Sequence, residues 1–110
     1  IQNGVVYGDT IMTNINKESS EIPVNYSLEQ NYPNPFNPVT NIKFEIPKSS
    51  FVKISVYDIT GREIDVLVNE QMQTGIYKVS WNGFQHSSGV YFCRMTSGGF
   101  TDTKRMVLIK

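Results

Sequence analysis

The sequence predicts an all-β protein, an antiparallel immunoglobulin-like β-sandwich of about seven short strands. Three observations favour this class. β-Branched and aromatic residues recur in short alternating runs from Thr40 onward, and Gly, Asn and Pro separate these runs at intervals of about 8–12 residues. No stretch shows the period of an amphipathic helix. A small barrel is the alternative, because it is also built from short alternating strands.

The first two predicted strands lie in TNIKFEIP and FVKISVYD. Successive side chains of a strand point to opposite faces, so Lys43 and Lys53 should point outward together with Ser55. Pro47 ends the first strand because it has no amide hydrogen to donate. The apolar residues share the other face, which we expect in the core: Ile42, Phe44, Ile46, Val52, Ile54 and Val56.

The segment DITGR joins the second strand to its return strand. Gly61 suits the left-handed backbone conformation that a hairpin turn with a bulge requires. Asp58, the first residue of this turn, should cap the backbone that follows it. EIDVLV continues as the return strand, and the polar NEQMQTG is expected to be a loop closed by Gly75. The core candidates of the return strand are Ile64, Val66, and Val68 or its neighbour Leu67.

The next strand, IYKVSW, places Tyr77, Val79 and Trp81 on one face, which should also lie in the core. Asn82-Gly83 follows directly and is a strong signal for a two-residue hairpin. We expect FQHSSG to be a turn and connection, VYFCRM to be the following strand, and TSGGF to be a glycine turn.

The last strand lies in TDTKRMVLIK. Alternation places Met106 and Leu108 in the core and leaves Val107 and Ile109 on the other face. A strand with two apolar faces is either a central strand buried on both sides or an exposed edge that is ready to pair with a partner strand. Basic residues flank it: Lys104, Arg105 and Lys110.

The N-terminal part differs in character. Residues 14–25 are polar and lack a period, which predicts an interdomain linker. NGVVYGDTIM is either the last strand of an upstream domain or a segment that packs on the sandwich. The chain starts at Ile1 without a signal peptide, so we expect it to be cut from a longer protein. We therefore assign residues 1–25 to the end of an upstream domain and a linker, and residues 26–110 to the sandwich.

Composition argues against several classes of function. Ten basic residues balance ten acidic ones, so net charge indicates neither nucleic acid nor an anionic membrane as partner. No apolar run approaches the roughly 20 residues of a membrane span. His86 is the only histidine and no nucleophile or phosphate motif is present, so we expect no catalytic residue, metal or cofactor. Cys93, the single cysteine, should pack as a small buried hydrophobe.

Three prolines stand close together in NYPNPFNPVTNIKFEIP, where they exclude helix. A linker would carry few large apolar groups, but Leu28, Tyr32 and Phe36 are interleaved here. We expect them to anchor a rigid loop over one end of the sandwich. PFNP also matches a PxxP ligand, which nothing else in the sequence supports. We name residues 31–38 the proline loop: Asn31, Tyr32, Pro33, Asn34, Pro35, Phe36, Asn37 and Pro38.

YSLEQNYPNPFNPVTNIKFEIP resembles the opening motif of the type A C-terminal sorting domains of the type IX secretion system. The similarity continues through VYDITGREIDVLVN, GIYKVSWNG, SGVYF and TKRMVLIK, and this ordered set is more specific than any one motif. The resemblance implies a β-sandwich at the C-terminus of an unrelated cargo in a Gram-negative bacterium. It also implies recognition by an outer-membrane translocon and its C-terminal signal peptidase, followed by removal or exchange for a surface anchor.

By position, the resemblance assigns partner recognition to a late glycine motif and to the lysine-bounded last strand. Two positions depart from the family pattern, since Cys93 stands where an aromatic is usual and Arg105 where Lys is frequent. These departures leave the charge intact and affect only local packing. The implied recognition residues are Gly89, Val90, Tyr91, Lys104, Arg105, Val107, Ile109 and Lys110.

Two hypotheses about function follow, from different classes. The first is a sorting module, which depends on the ordered motifs and on a C-terminal apolar edge. The second is a carbohydrate-binding accessory module of a secreted enzyme, because β-sandwiches with exposed aromatics such as Tyr57 or Phe92 often bind sugars. A row of coplanar surface aromatics would favour the second hypothesis.

Overall fold

A computed structural model describes residues 15–19 and 21–110, which form eight β-strands and no helix. This part of the chain therefore has no helical segment of the length and apolarity needed to cross a membrane. The all-β class is confirmed. The strands are β1 (Ile15–Ser19), β2 (Ser27–Leu28), β3 (Val39–Ile46), β4 (Ser50–Tyr57), β5 (Glu63–Met72), β6 (Gly75–Asn82), β7 (Gly89–Ser97) and β8 (Phe100–Leu108).

The strands form two antiparallel four-stranded sheets. The first sheet has the order β1-β6-β3-β2 and the second has the order β5-β4-β7-β8. The chain passes between sheets from β3 to β4, from β5 to β6 and from β6 to β7. Because both sheets contribute buried residues to a single cluster, the arrangement is a sandwich with one core.

The core contains the residues predicted from alternation in β3, β4, β6 and β8. Phe44 on β3 and Tyr77 on β6 are register partners, and their rings stack with centroids 5.5 Å apart. Each fully buried large apolar side chain contributes about 1.5–3 kcal/mol through its removal from water. The predicted core residues of β3, β4, β6 and β8 are all buried: Ile42, Phe44, Ile46, Val52, Ile54, Val56, Tyr77, Val79, Trp81, Met106 and Leu108.

β1 lies within the segment that we expected to be a linker. It pairs antiparallel with β6, where Ile15 is opposite Val79, and Ile15 packs against the core. The linker interpretation is therefore wrong for residues 15–19. The domain boundary at Tyr26 stays a prediction, and the two alternatives for NGVVYGDTIM concern residues outside the described part.

β5 is longer than predicted. We expected NEQMQTG to be a loop, but β5 continues to Met72, which is buried and pairs with Ser50 of β4. Only Gln73 and Thr74 separate it from Gly75, the first residue of β6. The polar composition wrongly indicated a loop because β5 is an edge strand. Asn69 and its exposed neighbours face water although their backbone remains paired with β4.

The alternation predicted for β5 is wrong at Val66. Two register shifts interrupt the pairing of β4 with β5 and place Asp65 opposite the inward-facing Val56. Val66 therefore faces outward, and it is 37% exposed. Leu67 and Val68 are both buried although they are adjacent, because a β-bulge inserts one residue and resets the alternation.

Ser55 lies on the outer face of the second sheet, as predicted, but it is buried. It belongs to a central strand and has Val66 on β5 and Arg94 on β7 opposite it in register. Cross-strand neighbours stand about 4.5–5.5 Å apart, so they cover a side chain this short. Exposure on this face therefore depends on the neighbours as well as on alternation.

The two-residue hairpin predicted at Asn82-Gly83 does not form. β6 and β7 belong to different sheets, and residues 83–88 carry the chain between them. The Asn82 side-chain oxygen accepts a hydrogen bond from the Phe84 amide at 2.9 Å, and the Gly83 amide donates to the Pro38 carbonyl at 2.8 Å. The turn signal was correct, but the pairing of the flanking strands was not.

The predicted glycine turns are present. Gly61 has a φ of +89° in the β4–β5 turn, and Gly98–Gly99 supply two positive φ angles between β7 and β8. The Asp58 carboxylate accepts hydrogen bonds from the Thr60 hydroxyl and amide and from the Arg62 amide. These bonds, led by the Thr60 hydroxyl, lower the pKa of Asp58 to about 2. The capping role predicted for Asp58 is confirmed.

Candidate functional site: the last strand and the proline loop

β8 is an edge strand of the second sheet and pairs with β7 alone among the named strands. The interpretation of a central strand is therefore wrong. Met106 and Leu108 are buried, while Val107 faces outward and Ile109, which follows the strand, is 52% exposed. An edge strand ordinarily leaves a row of amide and carbonyl groups unpaired. What lies along this edge decides whether another strand can be added.

The proline loop covers the C-terminal half of this edge. The Phe36 amide donates a hydrogen bond to the Val107 carbonyl, and the Ile109 amide donates to the Phe36 carbonyl, both at 2.9 Å. Phe36 thereby forms a parallel bridge with Leu108. The expectation of an exposed edge is wrong here, because an incoming strand would first have to displace the loop.

Two side chains complete the cover. The Asn34 side-chain oxygen accepts a hydrogen bond from the Val107 amide at 2.9 Å. Gln30, which directly precedes the proline loop, donates from its side-chain amide to the Arg105 carbonyl at 2.6 Å. Four outward backbone groups of residues 105–109 therefore have partners: the Arg105 carbonyl, the amide and carbonyl of Val107, and the Ile109 amide.

A buried polar network holds the proline loop in shape. Asn31 is only 3% exposed, and its side-chain amide donates to the Thr40 hydroxyl at 2.9 Å and to the Pro33 carbonyl at 3.1 Å. The Thr40 hydroxyl donates in turn to the same Pro33 carbonyl at 2.8 Å. Because buried polar groups are costly when unpaired, this network restricts the loop to one conformation.

Two of the three predicted anchors are buried, Leu28 on β2 and Phe36 in the proline loop. Phe36 is 2% exposed, and its ring centroid lies 5.7 Å from that of Trp81 in the core. Tyr32 is 79% exposed, so the prediction that it anchors the loop is wrong. The backbone of Tyr32 exchanges two hydrogen bonds with Asn41 on β3, and this pairing directs its side chain to solvent.

Apolar side chains continue across the outer face of the second sheet. Val90 on β7 pairs in register with Val107, and Phe92 pairs with Tyr57 on β4. These four side chains are half-buried, and Ile109 extends the row beyond β8. We name these residues the outer patch: Tyr57, Val90, Phe92, Val107 and Ile109.

The basic residues that flank β8 have different surroundings. The Lys110 ammonium group donates to the carbonyls of Phe84 and His86 at 2.6 and 2.9 Å and lies 5.5 Å from the Phe84 ring centroid. Lys104 lies 3.5 Å from the Asp102 carboxylate. Arg105 is exposed on the outer face, opposite Phe92. Lys110 therefore fastens the end of the last strand to the β6–β7 connection.

The late glycine motif supplies one surface residue and one core residue. Gly89 begins β7 opposite Leu108 with a φ of +156°, a conformation that side-chain-bearing residues rarely adopt. Tyr91 is buried, with its ring 5.4 Å from Trp81 and its hydroxyl donating to the Ser87 carbonyl at 2.6 Å. The structure thus brings Val90 to the outer patch but places Tyr91 in the core.

Sequence reasoning missed several residues of this site. Gln30, Ser88 and Phe84 each contact the last strand or its end: Ser88 accepts a hydrogen bond from the Lys110 amide at 2.9 Å. A polar side chain beside a proline cluster was the only signal for Gln30. No local pattern indicates Ser88 or Phe84, because their contacts depend on where the β6–β7 connection lies.

Candidate catalytic groups are not assembled in the described residues. No group of three His, Cys, Asp or Glu residues is arranged there to hold a metal ion. Burial raises the pKa of the Cys93 thiol to about 12, so it stays protonated and unreactive. His86 is half-buried in the β6–β7 connection, and its ring centroid lies 5.5 Å from that of Trp81.

The fold and the site define a small β-sandwich domain whose last strand is covered by a proline loop along its backbone and is apolar on its outer face. The model of the family described as the secretion system C-terminal sorting domain matches residues 30–110, and the chain belongs to this family. The match begins just before the proline loop and includes β3 to β8. Comparisons with curated proteins and with solved structures gave no match.

Membership gives the chain a role in protein targeting. The family consists of type IX secretion C-terminal sorting domains, so the domain acts as a sorting signal and interacts with the type IX secretion machinery. A secreted or cell-surface location in bacteria follows from this role. The family is not an enzymatic one.

Proposed function

We propose that residues 26–110 direct an attached upstream cargo across the outer membrane of a Gram-negative bacterium through the type IX translocon. The C-terminal signal peptidase of that system then removes the domain or exchanges it for a surface anchor. In this proposal residues 1–25 join the domain to the cargo, and β1 within them pairs with β6 of the sandwich. The family match supports the sorting role, and the geometry of β8 supports the mode of recognition.

The observation that carries the mode of recognition is the contrast between the two sides of β8. Its outer backbone edge is occupied by Phe36, Asn34 and Gln30, whereas Val107 and Ile109 present apolar side chains outward. The translocon therefore contacts side chains of the last strand in preference to pairing with its backbone. This replaces strand addition as the expected mechanism.

The implied recognition residues divide into two roles under this proposal. Val90, Arg105, Val107 and Ile109 are accessible and make direct contact. Gly89, Tyr91, Lys104 and Lys110 act indirectly, because each holds the last strands in position through pairing, burial or a short-range polar contact. Exchanging a residue of the second group should impair export through the fold of the domain.

The test is export of a fusion in a host with the type IX machinery. Residues 1–110 are attached to a periplasm-directed reporter, so that β1 remains paired with β6. The test variant is V107S/I109S, which removes apolar groups from the last strand. The matched control is V39S/I59S, because Val39 on β3 and Ile59 in the β4–β5 turn are also exposed apolar residues but belong to other elements than β8.

We expect the wild-type and control fusions to be exported and the test variant to accumulate in the periplasm while remaining folded. Outward substitutions usually change stability by less than about 0.5 kcal/mol, so folding is checked by urea unfolding of each purified chain. Equal export of the folded test variant would show the recognition mode to be wrong. Retention of the wild-type fusion in the periplasm would overturn the proposed function itself.

The mass of the exported product tests removal. A reporter that reaches the surface with residues 26–110 still attached would contradict processing while leaving sorting intact.

The carbohydrate-binding alternative gains no support from the described surface. Tyr32, Phe51 and Phe84 are exposed, and Tyr57 and Phe92 are half-buried, but of these only Tyr57 and Phe92 are opposite each other in register. The register neighbour of Phe92 on β8 is Arg105.

A further inference from the structure

The outer face of the second sheet carries two arginines beside the outer patch. Phe92 is opposite Arg105 and Arg94 is opposite Thr103, so Arg94 and Arg105 are diagonal neighbours on the β7–β8 pair. Diagonal positions in an antiparallel pair stand about 7–8 Å apart, which long side chains readily span. Both arginines are exposed, and Arg94 lay outside every motif identified in the sequence.

Neither arginine has an ion-pair partner among the described residues, although acidic groups lie nearby. Glu63 on the same face lies 3.3 Å from the Lys53 ammonium group. The nearby hydroxyl of Ser55 and then Lys53 lower the pKa of Glu63, so this carboxylate is engaged locally. Asp102 is likewise paired with Lys104. The β7–β8 end of the face therefore carries two uncompensated positive charges.

We propose that Arg94, Arg105 and the outer patch form a docking surface for an acidic protein surface of the export machinery, with carboxylates set beside apolar residues. The inference rests on the proposed function for the identity of the partner. Guanidinium groups bind carboxylates in a bidentate manner, and Phe, Tyr and Arg are the residues enriched at the centres of protein interfaces. The two arginines supply the charge complementarity and the outer patch supplies the apolar contact.

Other occupants fit this surface less well. In a symmetric dimer the same patch meets itself, which would bring four arginines together without a compensating acid. Recognition of an anionic lipid surface ordinarily uses clusters of about four to eight basic residues, whereas this face has two unpaired ones. Strand addition at β8 is blocked by Phe36 along residues 107–109.

The experiment uses the same 1–110 fusion in the type IX host. R94Q/R105Q removes the two charges, and R94E/R105E reverses them. K43E/K48E is the matched control for reversal, because Lys43 and Lys48 are exposed and lie away from the second sheet's outer face. All chains are first compared by urea unfolding to show that they remain folded.

We expect export to fall about tenfold with R94Q/R105Q and further with R94E/R105E, while K43E/K48E stays within about twofold of wild type. Export of R94Q/R105Q at the wild-type level would overturn the inference, even if R94E/R105E failed, because attraction would then play no part. Since the wild-type fusion is the reference in every arm, failure of the wild type itself counts against the sorting role and not against this surface.

A photo-crosslinking residue in place of Phe92 identifies what covers the face. We expect an adduct with a protein of the machinery, and Lys substitution of the acidic residues at the crosslinked site should restore export of R94E/R105E. Adducts only with lipid or polysaccharide, or with a second copy of the chain, would show the inference to be wrong. The inference would also be wrong if Lys substitution of the partner's acidic residues failed to restore export of R94E/R105E.

Discussion

The backbone amide of Phe36 donates a hydrogen bond to the carbonyl of Val107 at 2.9 Å, while the ring of Phe36 is buried beside Trp81. One residue thus satisfies the edge of the last strand and fills the end of the core. The proline loop and β8 are joined through both contacts, so a change that releases the loop also uncovers the strand. The fold of the sorting domain therefore joins the two most distant motifs of the matched region.

The other edges of the sandwich are also protected against strand addition. β1 is short and carries Lys17 and Glu18, β2 has two residues, and β5 is interrupted by two register shifts. Short, charged and bulged edge strands discourage pairing between sheets of different molecules. The proline loop and Gln30 therefore cover β8 over residues 105–109, and the other described edge strands are short, charged or bulged.

Phe36→Ala should lower the free energy of unfolding by about 3–5 kcal/mol, because it empties a buried site beside Trp81. Tyr32→Ala, in the same loop but at a solvent-exposed side chain, should change it by less than about 0.5 kcal/mol. Urea unfolding followed by tryptophan fluorescence measures both. Equal stability of the two variants would contradict the anchoring role of Phe36.

Asp65→Ala should destabilise the fold by about 1–3 kcal/mol, since Trp81 donates from its indole nitrogen to the Asp65 carboxylate at 2.9 Å and would lose its partner. Glu70→Ala is the control, because Glu70 is another exposed acid on β5. The same urea titration compares them, with the emission maximum of Trp81 as a second readout. A neutral effect of Asp65→Ala would argue against a structural role for this bond.

Asp58 should make the domain less stable in acid. Its folded pKa of about 2 lies below the ordinary value of 3.8, so the stabilisation is present above pH 3.8 and is lost as the pH falls toward 2. The pKa of Glu63 is also lowered and contributes in the same direction. The urea midpoint of Asp58→Asn should therefore fall less than that of the wild type when the pH is lowered from about 5 to about 2. An unchanged pH profile would contradict this assignment.

Residues 26–110 should fold on their own, as the predicted domain boundary requires, but with reduced stability. Loss of β1 removes its pairing with β6 and the half-buried Ile15, a loss of about 1–2 kcal/mol. A chain of residues 15–110, which keeps β1, is the control and should be more stable than the 26–110 chain. Cooperative unfolding of both chains supports the boundary, whereas an unfolded 26–110 chain in the absence of urea places the boundary earlier.

Local sequence pattern determined the strands whose partners keep a regular register. The expected alternation is present in β3, β4, β6 and β8, and Gly61 forms the predicted turn. Each of these patterns depends only on residues within one strand or one turn. The motifs also identified the family, since their order along the chain is visible without coordinates. The last strand and the proline loop could therefore be selected as the candidate site in advance.

Only the tertiary structure decided how those two parts fit together. The inward face of β5 depends on bulges in its pairing with β4, and the fate of Asn82-Gly83 depends on which sheet receives each flanking strand. Asn34 and Val107 form a hydrogen bond across 73 residues of sequence, which no local periodicity records. Side-chain alternation is set by neighbouring residues in the sequence. The covering of a strand edge and the pairing of charges arise between distant segments that only folding brings into contact.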